Sequence, residues 1–97
     1  MQRIAIVARL KPGVEERAAE LIQAGPPFDP RERGFDRHAV YLSADEIVFV
    51  FEGREVEWIL DEMVDELGGR VAHALAAWED LVLGPPRIAR PAYVWER

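Results

Sequence analysis

The chain has 97 residues, room for one domain and one hydrophobic core, and is read as a single unit over 1–97. Its net charge of −6, from 18 acidic and 12 basic side chains, repels a phosphate backbone and sets nucleic acid aside as a partner. It contains no cysteine, hence no disulfide framework and no thiolate, and no run of the ~18 apolar residues a membrane span needs. Met1-Gln2-Arg3 leads into a strand pattern rather than a signal peptide, so the cytoplasm is the expected location. The apolar content of 49% is that of a folding chain, not of a polar linker.

The first element is a strand over Arg3–Leu10, with Ile4, Ile6, Ala8 and Leu10 on one face and Ala5 and Val7 on the other. Pro12-Gly13 stops it. A helix follows, carrying Val14, Ala18, Leu21 and Ile22 at helical spacing and Glu15-Glu16 in its first turn, and Gly25-Pro26-Pro27 ends it. Phe28 to Asp36 is charged and proline-interrupted and reads as a loop. Two β-rich runs come next, about Arg37–Leu42 and Glu46–Glu52, joined at Ser43-Ala44-Asp45 as a hairpin.

Past Gly53, the residues Val56, Ile59, Leu60, Met63, Val64 and Leu67 form one buried helical stripe. Gly68-Gly69 breaks it, and a shorter helical pattern resumes through Val71, Leu75, Trp78 and Val82 up to Gly84-Pro85-Pro86. Pro91–Trp95 reads as the last strand. The order is that of an α+β, ferredoxin-like βαββαβ sandwich: a four-stranded antiparallel sheet with helices on one face.

A sheet with one wet face should alternate apolar and polar residues, yet Ile4–Ala8 and Ile47–Phe51 are apolar without a break. Leaving four or five such side chains uncovered would forfeit about 10 kcal/mol, comparable to the stability of a small domain. A second copy of the chain, sheet against sheet, is the expected cover.

Several stretches also resemble a known family. A first strand ending Ala-Arg-Leu-Lys-Pro-Gly, a Glu-rich amphipathic helix, an apolar Val-Phe-Val-Phe strand and a short final strand look like the dimeric α/β-barrel superfamily. That group includes antibiotic-biosynthesis monooxygenases, heme-degrading monooxygenases and muconolactone-isomerase-like proteins. The resemblance implies sheets paired in a dimeric barrel and a small-molecule pocket between sheet and helices. The heme-degrading branch requires an Asn in the first strand, and this chain has none, so heme chemistry is not carried over.

His38 is the candidate catalytic residue, a general base at the start of the second strand, on the same face as Val40 and Leu42. A neutral imidazole bonded to a backbone carbonyl is its plainer reading. The ligand-binding candidates are His38, Tyr41, Trp58, His73 and Trp78, on the view that Gly68-Gly69 opens a cleft and the charged loop covers it. Two separated histidines and no cysteine supply no metal site, no cofactor is expected, and Ser43 reads as a turn residue. Two functions fit: a homodimer binding a small apolar or aromatic molecule, as a cofactor-free monooxygenase or isomerase, or a non-catalytic structural dimer.

Overall fold

The two unbroken apolar runs become the two central strands of the sheet. The computed structural model describes residues 1–26, 28–65 and 76–97. Along them lie β1 (Gln2–Leu10), α1 (Glu15–Gln23), the short α2 (Pro30–Arg33), β2 (Phe35–Leu42), β3 (Glu46–Gly53), α3 (Val56–Asp65) and β4 (Val82–Ala89). The four strands make one antiparallel sheet in the order β2-β3-β1-β4. Pairing of β1 with β3 runs unbroken from Gln2↔Gly53 to Arg9↔Glu46. The architecture is the ferredoxin-like one that the element order implies.

Alternation sorts the side chains between the two faces. Ile4, Ala8 and Leu10 of β1 and Ile47 and Phe51 of β3 are buried on the helix side. They fall into two clusters, Ile4, Phe35, Phe51, Val56 and Ile59 in one, Ala8, Leu10, Ala18, Ile47 and Leu81 in the other. Phe49 packs against both and joins them. On the opposite face Ala5, Val7, Val48 and Val50 are only half-buried.

Two expectations about element placement change. Strand β2 starts at Phe35, and the charged stretch before it holds α2 rather than a plain loop. The reasons are local: Asp29 caps the helix, its carboxylate accepting the Arg31 N–H at 3.0 Å, and Pro30 fills the first turn, where its missing N–H costs nothing. Gly34, at φ +97°, then ends it in a left-handed conformation.

The second change concerns the last strand, which is Val82–Ala89 and not Pro91–Trp95. It runs through Gly84-Pro85-Pro86, a sequence that reads as a stop. As the outer neighbour of β1 it has a free side, where a proline without an N–H is tolerated. The β1–β4 register shifts between Val7 and Arg9, and Gly84 takes a φ of +77° beside that irregularity. Tyr93 and Trp95 lie beyond the strand and are exposed. The expected break at Gly68-Gly69, with Val71, His73 and Leu75, lies outside the described residues; a helical stretch occupies 76–79. Among the described residues no helix is long and apolar enough to cross a membrane.

Candidate functional site

A bulge at the start of β2 builds the site. Phe35 pairs with Gly53 and Arg37 with Glu52, so Asp36 is an extra residue on β2. Downstream of it His38 lies opposite Phe51, and the helix-side face of β2 reads His38, Val40, Leu42. The imidazole stacks on the Phe51 ring at 4.5 Å between centroids with the planes 21° apart. Phe28 lies 5.9 Å from the same imidazole, and Phe35 packs 5.0 Å from Phe51.

His38 Nδ1 sits 3.0 Å from the carbonyl oxygen of Val50. A carbonyl only accepts, so Nδ1 carries the proton of that bond, and the neutral ring keeps its lone pair on Nε2. The ring is thus fixed in tautomer and orientation by one hydrogen bond and one stacked neighbour. His38 forms one wall of an open cleft of about 770 Å³, together with Asp29, Arg31, Phe35, Asp36 and Arg37.

The opposite face of the sheet carries a row of charges at the same level. Arg37, Glu52 and Arg3 lie abreast on β2, β3 and β1. Glu52 is only 5% exposed. Its carboxylate accepts from Arg3 Nε at 2.7 Å and has Arg37 Nε at 3.4 Å, while Arg3 also reaches Glu96 at 3.3 Å. The hydrogen bond to Glu52, ahead of the charge attraction, raises the Arg3 pKa, so this guanidinium stays charged. Arg37 belongs both to this row and to the cleft.

The sequence candidates do not gather in one place. Tyr41 pairs with Val48 on the face away from His38 and is 56% exposed. Trp58 points outward from α3, 59% exposed. Trp78 meets Phe49 edge-on at 5.5 Å, beside the second cluster. His38 and Trp78 therefore rest on Phe51 and Phe49, alternate residues on one face of β3. His73 lies outside the described residues. Ser43 closes the β2–β3 turn, its Oγ accepting the Glu46 N–H at 3.1 Å.

Residue patterns alone missed Phe28, Arg31, Arg37 and Glu52. A glutamate directly after Val-Phe-Val-Phe, facing arginines at the start of both flanking strands, is the signal that could have marked the charged row. Nothing local marks Phe28, because its partners are set by how the α1–β2 connection folds back.

No protein-family model matches this chain, and none of the curated proteins matches it significantly. Solved structures do match in fold. Tetracenomycin F2 cyclase from Streptomyces glaucescens, a type-II polyketide cyclase, is 17% identical with a TM-score of 0.67, over 100% of this chain and 99% of that one. A NIPSNAP-family protein with unknown function from Agrobacterium tumefaciens is 16% identical with a TM-score of 0.67, over 95% of this chain and 88% of its own. A putative antibiotic biosynthesis monooxygenase from Chloroflexus aurantiacus is 15% identical with a TM-score of 0.54, over 97% of each. The resemblance thus holds as a likeness of fold, the ferredoxin-like one.

Proposed function

We propose that this chain is a cytoplasmic homodimer that binds a small aromatic or apolar molecule and acts on it as a cofactor-free monooxygenase or isomerase, with His38 as the base. The observation that carries this is the imidazole itself, locked by Val50 and Phe51 on the wall of an open cleft. Taking a proton from a phenolic or enolisable carbon acid is the first step of both reactions and needs one oriented base. The electron-rich carbanion then either reduces dioxygen, one oxygen atom staying on that carbon as a carbonyl and the other leaving as water with the carbon's two hydrogens, or is reprotonated at a different carbon. The fold neighbours named as a polyketide cyclase and an antibiotic biosynthesis monooxygenase lend this reading direction.

The second copy is proposed to sit on the helix-free face. There the rows Ala39–Val50–Ala5–Ala89 and Tyr41–Val48–Val7 form an apolar stripe; Arg87 closes the second row on β4 and reaches Glu46 at 3.8 Å, and Arg37–Glu52–Arg3 bounds the stripe at the other end. Packing two such faces together would take the stripe out of water.

A panel of polycyclic phenols, followed by oxygen uptake and product mass, tests the chemistry. Turnover that is lost in His38→Phe supports it, and turnover unchanged by that substitution overturns it. A non-catalytic dimer is the second reading, favoured by the use of the His38 ring as an aromatic packing element among Phe28 and Phe51.

A further inference from the structure

Resting on the small-molecule reading above, we infer that the cleft takes a flat aromatic acid, its ring against the half-buried His38 and its carboxylate on Arg31 and Arg37. The four charged side chains lining the cleft are not equally available. Asp29 is committed to the α2 cap through Arg31 N–H. Arg31 gives that backbone N–H to the cap, and its guanidinium has no partner among the described residues. Arg37 holds Glu52 only at 3.4 Å, whereas Arg3 Nε holds the same carboxylate at 2.7 Å. Arg37 can therefore turn to a ligand without leaving the buried Glu52 unpaired.

A guanidinium presents parallel N–H groups that fit a carboxylate, and the pair is stronger than a neutral hydrogen bond. Arg31 and Arg37 belong to α2 and to the start of β2, on the two sides of the Gly34 turn, and both line the cleft. His38, next along β2 but on its other face, would then meet the ring around the outer edge of that strand, beside the carboxylate, where a phenolic proton of an ortho-hydroxy acid lies. Asp36, which has no partner among the described residues, opposes the anion and limits its affinity.

Isothermal titration with 1-hydroxy-2-naphthoate and with 1-naphthol, which lacks the carboxylate, tests this. The unmodified protein should bind the acid about tenfold more tightly than the naphthol, the preference shrinking as salt rises. Arg31→Gln and Arg37→Gln should each remove most of that preference and leave naphthol binding alone. Asp36→Asn should tighten the acid by about twofold through lost repulsion. Thermal melts of the variants establish that each is folded, and Arg31, exposed and outside the Glu52 row, is the safer of the two arginines. Equal affinity for both probes, or a preference that survives both arginine variants, overturns the inference while the small-molecule reading stands. If neither probe binds or perturbs the His38 imidazole resonances, both fall together.

Discussion

His38 packs against Phe51 and Val50 in this structure and, on the proposed function, also serves as the base; two substitutions pull these roles apart. His38→Ala removes the ring stacked at 4.5 Å on Phe51 and the Nδ1 hydrogen bond to Val50. Each is worth about 1 kcal/mol, so the variant should lose about 2 kcal/mol. In a domain of this size that lowers the melting temperature by roughly 8–16 °C. His38→Phe keeps a ring on Phe51 and loses only the hydrogen bond, so its loss should be about 1 kcal/mol, half the shift. On the proposed function turnover separates from stability: neither variant keeps the proposed base, and both should lose about 10²–10⁴-fold in rate. Calorimetric melts at equal protein concentration, paired with initial rates on the best phenol of the panel, read both quantities. Coincident melting of the two variants would refute the stacking argument. A phenylalanine variant that turns over like the unmodified protein would refute the base.

Val50→Glu places a charge in the middle of the apolar stripe on the helix-free face, and sedimentation should show a dimer becoming a monomer; an unshifted dimer puts the interface elsewhere. Ile47 has no exposed surface, so Ile47→Ala should cost about 2–5 kcal/mol, measured by urea unfolding. Gly84→Ala should cost about 1 kcal/mol from its φ of +77° alone, since a Cβ there meets nothing within 4 Å; a far larger loss would mean a contact the fold does not show. Glu52 raises the Arg3 pKa, so the stability Arg3 contributes is complete below its unfolded-state pKa and is lost only as pH rises through the higher folded value. The deficit of Arg3→Met should therefore stay constant in melts between about pH 6 and 9, and a deficit that fades within that window contradicts the pairing.

Much of the fold was legible because period and punctuation agree in it. Ile4–Leu10 and Ile47–Phe51 could only be central strands, and Val56, Ile59 and Leu60 hold their stripe at helical spacing. The last strand was misplaced because Gly-Pro-Pro reads locally as a stop, and only the sheet order, with β4 outermost, makes it admissible. The site was half legible. His38 was marked by its position and by the alternation that groups it with Val40 and Leu42. Its neighbours were not, because Phe28 reaches it through tertiary packing and Arg37 through a bulge, and no residue pattern states the register. Tyr41 fell away for the opposite reason: three residues past His38 on a strand is the other side of the sheet.

The Gly-Pro-Pro segment of β4 also governs what this sheet can become. An exposed strand edge is a template on which another chain can be laid, and repetition of that step is how fibrils grow. Repetition here would need the β2 edge of each molecule to add to the β4 edge of the next, and Pro85 and Pro86 deny that edge the donors it would require. The β2 edge, outermost on the other side, would then have only another β2 edge to pair with, and that union consumes both and ends. An aggregation-prone topology is thereby confined to closed pairs, and replacing Pro85 and Pro86 with Val and Thr should release it, seen as thioflavin-positive growth where the unmodified protein stays clear.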